Sequence, residues 1–415
     1  MTTTDDTIAD AFAHQLEEPD VVAEAVTAAA WWRQSLAHGA PGIALLHVAR
    51  AANGQADWDV AHRWLSYISA APLTLGQQGS HPFYGATALA HVLAMAAPHH
   101  REGLRRPLDV LETGIRADLR VRLDAANRRI SQGRMATLEE FDAIHGLTGY
   151  GAYLLRRDPD GADTAAVLDY LVRLTEPLTV DGEHLPGWWV PTGTNGRYAL
   201  TMPGGHANSG VAHGIAGPLA LLSLAARRGV TRPGTSDAIE TILAWLDRWR
   251  PGPSAPWPYL VTRRELREGI DNPPVLRPSW CYGEAGLARA CQLAALALGD
   301  PGRGDDAERT ARHAFTCAEQ LAAVREPSLC HGFAGLAHCA RRIAADARPQ
   351  SAESLRHIAT RLIEHAGPTA SDDPAAYARA TIRTPGAGAG LLDGLAGIAL
   401  SRLDAPDWDT CLLLT

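Results

Sequence analysis

Three residues of this chain carry the donor chemistry of a metal site. Cys281 lies in Ser279-Trp280-Cys281-Tyr282-Gly283, and Cys330 and His331 lie in Leu329-Cys330-His331-Gly332. Two thiolates and one imidazole form a soft donor set. Together they suit a zinc ion that keeps its fourth position open for a substrate. Taken singly, each has a plainer role, because a cysteine outside a disulfide is commonly a small buried core residue.

Three further residues have types suited to moving protons or holding charge. His213, in Gly210-Val211-Ala212-His213-Gly214, is a candidate general acid or base. Asp142 stands three residues before His145-Gly146, where it could orient a histidine or simply cap a turn. Arg277, four residues before Cys281, could hold a developing oxyanion or could be a solvated loop residue. His38 and His145 occupy places like that of His213, so a histidine there is not diagnostic by itself.

These residues share a register because the sequence repeats. An aromatic residue, His or Asp precedes a glycine, and after two residues there is often a second glycine and then a run of small apolar residues. The first glycines are Gly39, Gly85, Gly146, Gly214, Gly283, Gly332 and Gly394, and only the second copy lacks the second glycine. Glycine before a helix allows a tight turn and close backbone approach. The Ala-rich runs that follow, such as 286–298 and 335–345, read as helices buried on most sides. Between the phrases lie amphipathic stretches. Val167, Tyr170, Leu171 and Leu174 recur at helical spacing, as do Ile239, Ile242, Leu243 and Leu246. The pattern predicts an all-α protein of seven helical hairpins, each with an inner and an outer helix. The terminal repeats are as apolar as the middle ones, which favours closure into a ring over an open solenoid with polar caps. Cys281, Cys330 and His331 then sit at equivalent turns of neighbouring repeats, at one end of the ring.

Two stretches interrupt the pattern. Residues 177–210 are rich in glycine and proline and contain Trp188 and Trp189 side by side. Residues 251–278 contain Pro251, Pro253, Pro256, Pro258, Pro273, Pro274 and Pro278. Long irregular insertions are commonly functional. The two tryptophans offer rigid contact area for a flexible peptide, or alternatively a plug for one end of the barrel.

Composition narrows the function classes. The 415 residues are 46% hydrophobic and 20% charged, with a formal net charge of −8, which supports a large core and argues against a general nucleic-acid binder. Residues 1–13 carry Asp5, Asp6 and Asp10 and lack the pattern of a signal peptide. No apolar run is long enough for a membrane helix. Six cysteines are too sparse for a disulfide framework, and Cys291, Cys317, Cys339 and Cys411 fall outside the register of the phrases.

With these motifs in hand, the chain resembles the lanthipeptide synthetase cyclases, the LanC family, from Gly39 to Ala399. The most specific pieces are Trp280-Cys281-Tyr282-Gly283, Cys330-His331-Gly332 and Gly210-x-Ala212-His213-Gly214-x-Ala216-Gly217. The resemblance implies a single α/α-toroid domain over 1–415, with Zn2+ held by Cys281, Cys330 and His331. It implies His213 as acid or base, Asp142 as the catalytic aspartate and Arg277 as the arginine near the metal. His145 departs from the family pattern.

The implied reaction adds a cysteine thiol of a dehydrated precursor peptide to a dehydroalanine or dehydrobutyrine, closing a thioether ring. A separate dehydratase is the expected partner, since seven repeats occupy the chain and leave no room for a fused one. An exporter complex is a further expected partner, and the expected location is cytoplasmic or peripheral to a membrane-associated assembly. The alternative is a LanC-like protein that binds or transfers glutathione. A toroid with a purely structural zinc would need a fourth protein ligand, and none lies in register. A glycosidase toroid would need two opposed carboxylates and gives no reason for the thiols.

Overall fold

The computed structural model describes residues 4–76, 79–250, 252, 255–270, 276–384 and 388–415. Of the insertion prolines, Pro251, Pro253, Pro273 and Pro274 lie outside the described residues. Nineteen α-helices are described: α1 (Thr4–His14), α2 (Pro19–Ala25), α3 (Ala40–Ala52), α4 (Trp58–Ser69), α5 (Ala86–Ala96), α6 (Arg101–Ser131), α7 (Leu138–Phe141), α8 (Leu147–Arg157), α9 (Ala162–Arg173), α10 (Ala216–Arg227), α11 (Thr235–Arg248), α12 (Arg263–Glu268), α13 (Glu284–Leu298), α14 (Pro301–Thr316), α15 (Ala318–Ala322), α16 (Phe333–Asp346), α17 (Pro349–Glu364), α18 (Pro374–Arg383) and α19 (Leu395–Leu400). Four strands of three residues each accompany them: β1 (Leu178–Val180), β2 (Glu183–Leu185), β3 (His206–Asn208) and β4 (Leu260–Thr262).

Each glycine phrase opens one helix, and these are α3, α5, α8, α10, α13, α16 and α19. Their small residues let them be buried almost all round. Every residue of α5 is buried, as is α13 from Glu284 to Ala295. The helices after them are amphipathic instead. In α11 the buried set includes Ala238, Ile239, Ile242, Leu243 and Leu246, one face of a helix.

The chain divides into two compact units. The first comprises 1–116, 324–341 and 354–409, and the second comprises 117–323, 342–353 and 410–415. In the first, α3 packs on α4, α5 and α19. The last inner helix, α19, ends at Leu400, and its cover comes from α1 and α18. The physical reason is in the residues of α1, where Ala9, Phe12 and Ala13 are fully buried and the Phe12 ring stacks on Tyr377 with centroids 5.7 Å apart. Arg402 reaches back to Asp5 and to the Ile363 carbonyl.

In the second unit, α8, α10 and α13 pack side by side, with α9, α11 and α14 against them. Strands pair within the described parts of its two insertions. β1 and β2 form a hairpin around Asp181-Gly182, both with positive φ, as a two-residue hairpin turn requires. β3 and β4 pair antiparallel, tying the first insertion to the second. Arg263, at the start of α12, is buried and bonds the Val180 carbonyl at 3.1 Å and the Glu183 carboxylate.

Candidate functional site

The site begins with the turn that precedes each phrase helix. In the second unit Ser279 Oγ accepts hydrogen bonds from the amides of Tyr282 and Gly283, at 3.3 and 2.9 Å. Asp142 Oδ1 does the same work two repeats earlier, accepting from the amides of His145 and Gly146 at 2.6 and 2.9 Å. The turn is tight enough to demand glycine: a Cβ on Gly283 would lie 2.3 Å from the Ser279 nitrogen. Asp142 is therefore both a turn cap and, through its second oxygen, part of the site.

Neighbouring turns are stitched by backbone hydrogen bonds, which fixes their register. The Ala143 amide donates to the Ala212 carbonyl at 3.0 Å, and the Ala212 amide donates to the Cys281 carbonyl at 3.1 Å. In the first unit the Cys330 amide donates to Leu392, and the Leu392 amide to Ala37, both at 2.8 Å. Within each unit, residues just before the first glycine of neighbouring phrases consequently meet. The rings of His145 and His213 stack with centroids 5.6 Å apart, and His213 lies 6.0 Å from the Tyr282 ring. In the first unit His38 Nδ1 is 3.1 Å from Asp393, and Asp393 is 3.9 Å from His331 Nδ1.

Asp142 and His213 come together as the sequence anticipates. Asp142 Oδ2 lies 2.6 Å from His213 Nδ1, with Asp142 fully buried and His213 28% exposed. His145 Nδ1 faces the same oxygen at 3.4 Å. Burial pushes the Asp142 carboxyl up, but hydrogen bonds from His145 and His213 outweigh it and hold the group at about 2. The His145 pKa is raised: burial opposes the charged ring, and Asp142 more than offsets it. The Asp142 carboxylate on Nδ1 fixes the orientation of the His213 ring and leaves Nε2 on its far side.

Arg277 lies half-buried in the segment entering the Cys281 turn, where its carbonyl accepts from the Tyr259 hydroxyl at 2.6 Å. The Tyr259 ring packs 5.7 Å from Tyr282, so the second insertion borders the site through this pair. Cys281 is buried, its Sγ 3.6 Å from Ser279 Oγ. His331 Nε2 is 2.7 Å from Glu326.

Cys281 of the second unit offers a thiol donor, and Cys330 and His331 of the first offer a thiol and an imidazole. Their chemistry fits zinc: soft thiol donors, one imidazole, and that imidazole's far nitrogen engaged by a carboxylate, the usual orienting contact of a ligating histidine.

The tryptophans do not serve as an open contact surface. Trp188 and Trp189 are 1% and 0% exposed. Trp189 Nε1 donates to the Gly204 carbonyl at 2.9 Å, and Trp188 packs edge-on against Trp245. Two large rings at the base of an insertion gain more by anchoring it to the core than by facing water. Sequence reasoning also passed over Tyr282, Glu326 and Asp393. A signal for the capping slot was present, since Ser35, Asp142, Ser279 and Ser328 all stand four residues before a first glycine.

The model of the lanthionine synthetase C-like proteins matches residues 30–413. The chain belongs to the lanthionine synthetase C-like family. Within reach of it is the nisin biosynthesis protein NisC of Lactococcus lactis subsp. lactis, 24% identical over 319 residues, which are 73% of this chain and 72% of NisC. Among solved structures, a nisin cyclase matches with a TM-score of 0.74 at 21% identity, covering 97% of both chains. The fold is accordingly the all-α α/α toroid expected for a lanthionine synthetase C-like protein. Among the described residues no helix is long and apolar enough to cross a membrane.

Proposed function

We propose that the chain is a zinc-dependent cyclase that forms lanthionine and methyllanthionine rings in a dehydrated precursor peptide, acting as one domain over 1–415. The observation that carries this reading is the Asp142–His213 pair, 2.6 Å apart and stitched by backbone to the Cys281 turn, in a chain of this family. Zinc bound by Cys281, Cys330 and His331 would lower the pKa of an incoming cysteine thiol and hold its sulfur in place.

The chain's own residues supply the rest. His213 Nε2 takes up the thiol proton, with Asp142 balancing the imidazolium charge. The sulfur forms a bond to the β-carbon of the dehydrated residue, and the electron pair of the double bond moves toward the carbonyl oxygen. Arg277 offsets the charge developing there. The proton on His213 then returns to the α-carbon. Thiol and alkene become a thioether with no change in mass. The dehydrated residues come from a separate dehydratase, and an exporter complex would receive the product. The proposed setting is the cytoplasm, at or near such an assembly.

The test uses a peptide with one dehydroalanine and one cysteine. Incubation with the protein in the presence of glutathione should leave its mass unchanged while abolishing thiol alkylation. His213→Asn should slow this by about 10²- to 10⁴-fold with metal content retained. An alkylatable thiol after prolonged incubation would refute the reading, and a product heavier by one glutathione would point to transfer instead.

A further inference from the structure

Asp142, His145 and His213 present one carboxylate oxygen and two ring nitrogens, all within 4.8 Å of one another. None of the three belongs to the Cys281, Cys330 and His331 group. Both Nδ1 atoms point at the same oxygen, Asp142 Oδ2, at 2.6 Å from His213 and 3.4 Å from His145. The other carboxylate oxygen is taken by two backbone amides, so Oδ2 is the one that faces the two rings. The two imidazoles stack at an interplanar angle of 22°. Asp142 is fully buried, while His145 and His213 are 36% and 28% exposed, giving a cation a route from solvent.

We propose that these three residues form a second, inhibitory site for a divalent first-row transition ion. Two histidines and one carboxylate, with open positions remaining, are a recurrent donor set for such ions. Ligands held about 2.0–2.1 Å from a tetrahedral ion sit about 3.3 Å apart. The His145–Asp142 spacing already meets that value, and the His213–Asp142 spacing must open by about 0.7 Å. Lacking thiolates, the site is weaker than the cysteine site and fills after it. A cation there replaces the proton shared by His213 and Asp142, and it thereby removes the acid/base group from use. His145 is the residue that turns an aspartate–histidine pair into a three-donor site. The inference rests on the proposed role of His213 only for its inhibitory consequence.

The test is a Co2+ titration, read by absorption, of the full-length protein first loaded with one equivalent of Zn2+ so that the cysteine site is filled. The expected result is visible d–d absorption without a thiolate-to-cobalt charge-transfer band. His145→Asn should weaken this by tenfold or more while the helical circular dichroism stays unchanged, since loss of even an outer partner of a metal ligand costs about 10- to 100-fold. Asp142→Asn should do the same. No such absorption, an unchanged response in both variants, or absorption carrying only the thiolate band would each overturn the site. The readout needs no peptide, so it stands even if cyclisation fails. Where cyclisation is observed, excess Zn2+ should slow the wild type and spare His145→Asn; equal inhibition of both would overturn the inhibitory role.

Discussion

Asp142 does two jobs with two oxygens, and the jobs can be separated. Asp142→Asn keeps an oxygen for the turn amides but removes the charge facing His213 and His145. A carboxylate whose pKa is depressed on folding adds stability that is complete above its ordinary value of 3.8 and is lost as pH falls through about 2. The wild type should therefore exceed Asp142→Asn by on the order of 2 kcal/mol at neutral pH. That difference should shrink steadily below pH 4 in urea denaturation, and a gap independent of pH would mean the charge is not what matters. A second residue-scale prediction concerns Glu326, 2.7 Å from His331 Nε2. Glu326→Gln should lose bound zinc to a competing chelator about 10- to 100-fold more readily. Equal retention in wild type and variant would show that Glu326 does not orient the ligand.

At the scale of elements, the phrase helices were legible because their glycines are sterically required. A Cβ on Gly286 would sit 2.0 Å from the Trp280 carbonyl oxygen and 2.9 Å from Val211. Gly304, inside α14, has nothing nearer than Ala295 at 3.8 Å. Gly286→Ala should thus destabilise severely, whereas Gly304→Ala should add about 0.5–1 kcal/mol by stiffening the unfolded chain and favouring helix. Denaturant midpoints of the two variants moving in the same direction would contradict this. The amphipathic partners were equally legible: the stretches read at 163–174 and 236–250 are α9 and α11, displaced by a residue or two. What escaped the sequence was contact between distant segments. The burial of Trp188 and Trp189 depends on Trp245 and Gly204, and the link between the two insertions depends on β3 finding β4 some fifty residues on. The bond between His331 and Glu326 is local, but no spacing rule marks it. The pairing of Asp142 with His213 was readable because both sit in the repeated turn, where one register governs both copies.

For the whole molecule, the family and the toroid fold agree with the repeat count. α19 has its cover from α1 and α18 rather than from a helix that follows it. Phe12 is fully buried and stacked on Tyr377, so Phe12→Ala should cost about 3–5 kcal/mol. Thermal melting should show the loss, and a melting temperature within error of wild type would mean that α1 is dispensable.

The pairing of α1 with α19 also has a consequence for biosynthesis. On the ribosome, α1 emerges hundreds of residues before α19 exists. Its apolar face, with Ala9, Phe12 and Ala13, must wait for a partner until the end of translation. A nascent chain stalled before Leu395 should therefore keep α1 open to proteases and chaperones, and its protection should arrive in one late step.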